Sequence, residues 1–297
     1  MPPVKTIAES IRRVGLVANP DKSRGALLVR RAARLLRGMR RTVLCDPETA
    51  SLAGPGIDAA NSLEDLARKV DLLLVFGGDG TMLRIARDVA GLPVPILGIN
   101  TGNLGFLTSV SPHRLAESLR KIPAGRFALE ERALLEATVQ RGGERSVETA
   151  LNDFVLSRGL ASRLIEVEVS VNDELLTRYR CDGLITCSPT GSTAYSLAAG
   201  GAIVSPEAEV LTLTPICPHT LSIRPLVLNL DSTVRVKLLS TRLLATLAGD
   251  GQQLSELSAG DTVTIRRSKR SVRLLRLEGT SFFGTLRQKF GWSGSNV

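Results

Sequence analysis

The sequence is poor in the residues that build metal centres and disulfide frameworks. It has only two histidines, His113 and His219, and its four cysteines show no Cys-x-x-Cys spacing. A histidine-rich metal site is therefore excluded, and any metal would be a hard cation on oxygen ligands. The cysteines are interpreted as reduced thiols of a cytoplasmic protein rather than as disulfide partners or zinc ligands.

Long hydrophobic runs and aromatic side chains are also scarce. No apolar run approaches the ~20 residues of a membrane-spanning helix, and the first residues lack the apolar core of a signal peptide. Aromatic residues make up 3% of the chain, beside 43% hydrophobic and 23% charged residues. This composition is typical of a globular protein, and 297 residues allow one large domain or two of ordinary size. We expect a cytoplasmic protein without membrane contact.

Acidic residues are almost absent from the first part of the chain. Ten basic residues lie between Arg12 and Arg41, against the single acidic residue Asp21, and the formal net charge is +9. A positive field suits a polyanionic ligand such as a nucleotide, polyphosphate or nucleic acid. Because no aromatic residues interleave with these arginines, a solvated helix face is favoured over a nucleic-acid surface. The role of this arginine-rich region stays open.

The clearest local pattern is Leu72–Thr81. Five apolar residues run into Gly77-Gly78-Asp79-Gly80, and a helical pattern follows. The pattern predicts a buried parallel strand, a tight turn and a helix N-terminus. Glycines let the backbone approach a ligand, and the N–H groups of a first helical turn favour an anion. Because a carboxylate repels phosphate, Asp79 is interpreted as a base for a hydroxyl group or as the helix cap.

Strands and helices alternate up to about residue 125. A second glycine-rich loop, Asn100–Leu107, follows the predicted strand Pro95–Ile99, whereas residues 46–61 are predicted as an irregular connection. Such alternation indicates a parallel sheet with ligands at the carboxyl ends of its strands. From residue 126 on, segments such as Ser146–Leu156 predict mainly antiparallel strands. We expect domains at 1–125 and 126–278, and a helical C-terminal segment 279–297 that packs back on the first domain.

A loop rich in hydroxyl groups lies near the middle of the second half. The strand predicted at Leu184–Cys187 leads into Ser188–Ser196, and Asp182-Gly183 precedes it. A helix cap would explain one or two hydroxyls, but this loop has five, and Tyr195 adds a face for stacking. The pattern therefore favours a nucleotide pocket. The five hydroxyl residues are Ser188, Thr190, Ser192, Thr193 and Ser196.

The pair Asn152-Asp153 interrupts an apolar run. An amide can hydrogen-bond a base or ribose edge, and a carboxylate can hold vicinal hydroxyls. By itself such a pair is more often a turn or a bulge.

Taken together, these motifs resemble those of the NAD kinases. The resemblance extends from about Val14 to Trp292, in the order of that family. It rests on Gly77–Thr81, Asn100–Leu107, Asn152-Asp153, Asp182-Gly183, Ser188–Tyr195 and Pro218–Val227. It implies a Rossmann-like α/β N-terminal domain with a parallel sheet, of the type shared by diacylglycerol and NAD kinases, and a β-rich, NAD-binding C-terminal domain. It also implies a homo-oligomer, a dimer or a tetramer.

The reaction implied by the resemblance is phosphorylation of the 2′-hydroxyl of the adenosine ribose of NAD to give NADP. ATP, or polyphosphate, would be the donor, with Mg²⁺ or another divalent cation. Asp79 would be the catalytic base, and the phosphates would contact Gly77, Gly78, Gly80 and Thr81. NAD would contact Asp79, Gly80, Leu83, Phe106, Asn152, Asp153, Arg180, Asp182, Ser188, Thr193, Ala194, Tyr195 and Ser196.

The resemblance also implies a division of these contacts along the dinucleotide. Asn152, Thr193 and Ser188 would contact adenine beside Tyr195, and Asp153 would hold ribose hydroxyls. Asp182, Ala194 and Ser196 would face the nicotinamide half, and Phe106 and Leu83 would wall the pocket. Arg180 would reach a phosphate, in its own or in a neighbouring subunit.

Two other functions are compatible with parts of the pattern. A lipid kinase of the Gly-Gly-Asp-Gly type would need an apolar substrate pocket, whereas Ser188–Ser196 is built from hydroxyl groups. A non-catalytic binder of dinucleotide or nucleic acid would use the arginine-rich region and would not need Asp79. Its affinity for nucleic acid would fall steeply with salt.

Overall fold

The computed structural model describes residues 8–19, 23–102, 104–159, 163–241 and 243–292, with the side chains of residues 23 and 24 excepted. Asn103 of the second glycine-rich loop and the ends of the predicted domains, residues 1–7 and 293–297, lie outside this description. The α-helices are α1 (Ser23–Gly38), α2 (Pro47–Ala53), α3 (Leu63–Lys69), α4 (Asp79–Asp88), α5 (Leu115–Lys121), α6 (Tyr195–Ala198) and α7 (Phe282–Phe290). Short 3-10 helices occupy Pro112–Arg114 and Thr190–Thr193. None of the described helices is long and apolar enough to cross a membrane.

Strands make up most of the remaining regular structure. In chain order they are β1 (Arg13–Ala18), β2 (Thr42–Cys45), β3 (Asp58–Ala59), β4 (Leu72–Gly77), β5 (Pro95–Asn100), β6 (Thr108–Val110), β7 (Phe127–Arg141), β8 (Glu144–Ala150), β9 (Asp153–Ser157), β10 (Ile165–Val171), β11 (Glu174–Cys181), β12 (Gly183–Cys187), β13 (Val210–Ile216), β14 (Leu226–Asn229), β15 (Val234–Leu238), β16 (Ala245–Gly249), β17 (Gln252–Leu257) and β18 (Thr262–Leu277). The described residues fall into two compact units, within Met1–Glu131 plus Val272–Val297 and within Arg132–Ser271.

The first unit is built on a parallel sheet. Its strands lie in the order β3-β2-β1-β4-β5-β18, and β6 runs parallel beside β5. Strand β4 is buried along its whole length, since neighbours flank it on both sides and helices cover the sheet, which explains its uninterrupted apolar sequence. The predicted strand, turn and helix at Leu72–Thr81 are therefore confirmed.

Helix α1 carries most of the arginine-rich region. Leu28, Ala32 and Leu36 are buried against the sheet, while Arg30 and Arg34 are exposed. The spacing of three to four residues places the apolar side chains on one face of the helix. The predicted arginine face therefore lies in solvent.

The segment 46–61 was wrongly predicted as irregular. It contains α2 and the short strand β3, which pairs with β2. Pro47 stands in the first turn of α2, where its missing N–H and fixed φ cost the helix nothing, and Thr49 and Ala53 are buried. The proline is thus a helix start rather than a loop residue.

The second unit is antiparallel. One sheet has the order β14-β13-β12-β9-β16-β17, and the other pairs β11, β10, β15 and the first part of β18. Alternating side chains from these strands form a shared apolar core. The β-rich segment Ser146–Leu156 contains parts of two strands, β8 and β9, which are separated at Leu151 and Asn152. The break arises because the N–H groups of both residues donate to the side chain of Asp250.

Candidate active site

Asp79 occupies the first turn of α4, directly after the central strand. Gly78 is the N-cap residue of this helix, and no side chain caps it. The Asp79 carboxylate instead accepts hydrogen bonds from two backbone N–H groups, with 2.8 Å from Phe106 N to Oδ2 and 3.1 Å from Leu107 N to Oδ1. The interpretation of Asp79 as a helix cap is therefore wrong. Its side chain is half-buried and fixed across to the second glycine-rich loop.

At two positions in these loops only glycine fits, because neighbouring side chains occupy the space that a Cβ atom would need. A Cβ atom on Gly105 would lie 1.9 Å from Oδ1 of Asp79, and one on Gly77 would lie 2.3 Å from Oγ1 of Thr81. Around Gly80 and Gly102, in contrast, a Cβ would meet no atom within 4 Å. The open side of this turn is therefore at Gly80 and Gly102. Thr101, next to Gly102, has a buried hydroxyl that finds no partner among the described residues.

The backbone of Asn152 and Asp153 is held in place by Asp250. Oδ2 of Asp250 accepts the N–H of Leu151 at 3.0 Å, and Oδ1 accepts that of Asn152 at 2.7 Å. In return, the N–H of Asp250 donates to the carbonyl oxygen of Asp153 at 3.0 Å. Asp250 was missed in the sequence. The Asp250-Gly251 pair is a strong hairpin signal, and it forms the turn between β16 and β17 with φ of 48° and 77°.

Asp153 is a buried carboxyl group, only 4% exposed. Desolvation raises its pKa to about 7, and the nearby negative charge of Asp250 adds to the shift. The Asn152 side chain beside it is half-buried.

The hydroxyl-rich loop is folded by its own serines. Ser188 donates to the carbonyl oxygen of Leu151 at 2.6 Å and accepts the N–H of Gly191 at 3.2 Å. Ser192 donates to the carbonyl oxygen of Pro189 at 2.7 Å, and the hydroxyls of Ser196 and Thr214 lie 2.9 Å apart. These three serines are fully buried. A large part of the hydroxyl pattern therefore shapes the loop itself.

The next part of the loop is more accessible. Thr193 and Ala194 are half-buried, and Tyr195, the first residue of α6, is 47% exposed. Thr190 is buried beside Arg132, with 3.5 Å between Nη1 of Arg132 and Oγ1 of Thr190. Arg132 was missed because nothing around it in the sequence distinguishes it from the many other arginines.

Asp182 precedes β12 and forms an ion pair. Its Oδ1 lies 2.6 Å from Nε of Arg158, and both side chains are about one-third exposed. Arg158 was missed because it lies 24 residues earlier in the chain, at the end of β9, which is the neighbour of β12 in the sheet.

The other predicted site residues differ in exposure. Arg180 is exposed on β11, whereas Phe106 and Leu83 are half-buried. Within the described part of the chain, no group of three or more His, Cys, Asp and Glu side chains could hold a metal ion.

Family comparisons match both units. The ATP-NAD kinase N-terminal domain matches residues 14–127, and the ATP-NAD kinase C-terminal domain matches residues 151–277. The NAD kinase of Thiobacillus denitrificans is 42% identical over 280 residues, which cover 94% of this chain and 96% of that protein. The NAD kinase of Heliobacterium modesticaldum is 44% identical over 277 residues, covering 93% and 97%.

Solved structures of NAD and NADH kinases are also similar to this chain. Yeast NADH kinase complexed with NADH has a TM-score of 0.87 and 26% identity, with coverage of 97% of this chain and 89% of the other. An NAD kinase from Archaeoglobus fulgidus in complex with ATP has a TM-score of 0.71 and 28% identity, with coverage of 94% and 97%. The fold, with an α/β N-terminal unit and a β-rich C-terminal unit, is that of a nucleotide-dependent kinase. The chain belongs to the NAD kinase family and is an enzyme of that family. The lipid kinase and the non-catalytic binder are thereby set aside.

Proposed function

We propose that this enzyme transfers the terminal phosphoryl group of ATP to the 2′-hydroxyl of the adenosine ribose of NAD, forming NADP. The observation that carries the mechanism is the orientation of Asp79 by the N–H groups of Phe106 and Leu107. A carboxylate held by two backbone donors keeps its remaining lone pairs in one direction, which a base for a hydroxyl group requires. Phosphoryl transfer depends mainly on positioning and charge stabilisation, so a fixed base contributes through geometry.

The donor phosphates contact the glycine turn. Gly78, Gly80 and Thr81 supply backbone N–H groups at the start of α4, where the helix dipole favours negative charge. Gly77 gives room for the Thr81 side chain, and the free space at Gly80 allows close approach of a phosphate.

The adenosine half of NAD contacts the second unit. Asn152 and Thr193 hydrogen-bond adenine, Tyr195 offers its exposed ring beside the base, and Asp153 holds ribose hydroxyls. Because the hydroxyl of Ser188 already donates to Leu151, Ser188 supports adenine binding through the backbone that it holds.

The remaining contacts belong to the nicotinamide half, to the pyrophosphate and to the adenosine ribose that is phosphorylated. Asp182 and Ala194 face the nicotinamide, and the buried Ser196 shapes the helix start beside them. Asp79 and Gly80 contact the ribose to be phosphorylated, and Phe106 and Leu83 form an apolar wall. The exposed Arg180 binds a phosphate of NAD, and in a homo-oligomer it does so for a neighbouring subunit.

Mg²⁺, or another divalent cation, enters as the cation of the ATP complex. Its preference for phosphate and water oxygens makes a dedicated protein cage unnecessary. The active enzyme is a cytoplasmic homo-oligomer, a dimer or a tetramer.

The reaction is tested with the purified full-length chain, with NAD and either Mg²⁺–ATP or Mg²⁺–polyphosphate in separate reactions. NADP is expected with ATP, whereas its absence would contradict the proposal. Asp79→Asn should abolish turnover and leave NAD binding largely intact, because the base acts in the transition state. Asp88→Asn, an exposed aspartate on the same helix, is the matched control and should retain full activity. Near-normal turnover of Asp79→Asn would show that Asp79 is not the base.

A further inference from the structure

An aromatic cluster lies behind the loop that binds Asp79. The ring centroid of Phe106 lies 5.9 Å from that of Phe282 and 6.4 Å from that of Phe290. Phe283 contacts Phe282, and Trp292 contacts Phe290, at 5.6 and 5.5 Å between centroids. Four of the seven phenylalanines and the single tryptophan are gathered here, in a chain with only 3% aromatic residues.

A cation completes the packing of the Phe106 ring. Nζ of Lys289 lies 4.6 Å from the ring centroid, a distance typical of a cation–π contact. Phe282, Lys289 and Phe290 all belong to α7. Phe106 is therefore held by three side chains of one helix, about 180 residues further along the chain.

The same residue orients Asp79 through its backbone. Phe106 N and Leu107 N donate to the two oxygens of the carboxylate, and the carboxylate occupies the space where a side chain at residue 105 would stand. A rotation of the Phe106 backbone would therefore misdirect both hydrogen bonds.

Helix α7 is anchored independently of these rings. Ser281 accepts the N–H of Gly284 at 3.0 Å as its N-cap, and Leu286 is buried with 3% exposure. The preceding residue Glu278 binds Arg126 through its carboxylate, and its carbonyl oxygen accepts Nζ of Lys121 at 2.9 Å. Removal of one exposed ring should thus leave the helix in place.

We propose that α7 positions the catalytic base: its side chains Phe282, Lys289 and Phe290 fix Phe106, and Phe106 with Leu107 fixes the Asp79 carboxylate. This inference rests on the proposed function of Asp79. The three side chains are positioning residues, since they act through the backbone of the Phe106 loop. A misplacement of about 1 Å in a reacting group can cost on the order of a hundredfold in rate, so even a small relaxation of this loop is measurable.

The test compares Phe290→Ala with Phe290→Leu and with Phe283→Ala. Phe283 lies on the same helix and is 63% exposed, which makes it the matched control. We expect Phe290→Ala to lower kcat by about tenfold and to raise the KM for NAD by a smaller factor, because the loss falls mainly on the transition state although Phe106 also lines the NAD pocket. Phe290→Leu restores part of kcat by refilling the space, and Phe283→Ala leaves it unchanged.

Hydrogen–deuterium exchange supplies a readout that a general loss of stability would not reproduce. In Phe290→Ala the amides of Phe106 and Leu107 should exchange faster, while those of the central strand β4 keep their protection. The inference would be overturned if exchange were accelerated equally at Phe106–Leu107 and in β4. It would also be overturned if both Phe290→Ala and Phe282→Ala left exchange and kcat unchanged. Absence of NADP formation by the unaltered protein would contradict the proposed function alone, because the exchange of Phe106 and Leu107 can still be measured.

Discussion

Gly191 lies against the backbone of Asn152 so closely that a Cβ atom on it would be 2.1 Å from the Asn152 carbonyl oxygen. That same oxygen accepts the N–H of Ser188 at 2.8 Å. The hydroxyl-rich loop and the Asn-Asp pair are therefore one packed assembly, although they lie far apart in the sequence. Any change at their contact should alter adenosine binding as well as stability.

Replacement of Gly191 by alanine tests this packing. The new methyl group must displace backbone rather than a flexible side chain, so we expect a loss of about 1–3 kcal/mol in the free energy of unfolding. The KM for NAD should rise because Asn152 moves. Gly25→Ala is a suitable control, since its Cβ would meet its nearest neighbour at an ordinary 3.7 Å. Unchanged stability and KM in Gly191→Ala would contradict the tight packing.

A second glycine bears on the proposed base. In Gly105→Ala the methyl group would overlap the Asp79 carboxylate, at 1.9 Å from Oδ1, and force it out of its two hydrogen bonds. We expect kcat to fall by about a hundredfold or more, as for a misplaced catalytic group. Gly38→Ala, with no atom within 4 Å of its Cβ, should behave like the unaltered enzyme in the same assay. Normal kcat in Gly105→Ala would mean that the orientation of Asp79 is unimportant.

Asp250 offers a third test. Asparagine at this position keeps one acceptor oxygen but turns an NH₂ group toward the second backbone N–H, so one hydrogen bond is lost. A buried donor left unpaired costs about 1–3 kcal/mol, and the KM for NAD should rise with the loosened Asn152. The control is Asp261→Asn, another turn aspartate, whose Oδ2 accepts the N–H of Ser258 at 2.8 Å. Equal effects of the two substitutions on KM would argue against a special role of Asp250.

Sequence patterns predicted those parts of the molecule whose conformation is determined by residues close together in the chain. The strand and turn at Leu72–Thr81 follow from a buried apolar run and glycines. Ser62 and Asp65 have the spacing of a helix N-cap and its third residue, and the Ser62 hydroxyl accepts the N–H of Asp65 at 3.0 Å. The turn at Asn172 and Asp173 has the positive φ values that these residue types tolerate.

The contacts that orient the site residues could not be predicted in the same way. Asp79 and its donor Phe106 lie 27 residues apart, and Asn152 and its acceptor Asp250 lie 98 residues apart. Which residues meet in such pairs depends on the order of the strands in the sheets. The periodicity of a short stretch of sequence does not reveal that order. For the same reason the buried serines resembled ligand groups: a sequence shows a hydroxyl, but only the fold shows that Ser188 is already bonded to Leu151.

The buried carboxyl of Asp153 makes stability depend on pH. Because its pKa is raised from an ordinary 3.8 to about 7, the folded protein holds a proton on it that the unfolded chain has released between those values. The stabilising contribution of the protonated form is complete below pH 4 and is lost as the pH rises through 7. Asp153→Asn removes this titration, so the variant should gain stability relative to the unaltered protein on going from pH 4.5 to pH 8, by on the order of 4 kcal/mol at most.

Urea unfolding of both proteins at a series of pH values measures this difference. In Asp250→Asn the pKa of Asp153 should be less strongly raised, because the neighbouring charge is its second cause, so the loss of stability with rising pH should be smaller and should end at a lower pH. NAD binding should weaken in Asp153→Asn, since an amide cannot accept from two ribose hydroxyls. A difference in stability that stays constant from pH 4.5 to pH 8 would show that Asp153 does not titrate as a buried acid.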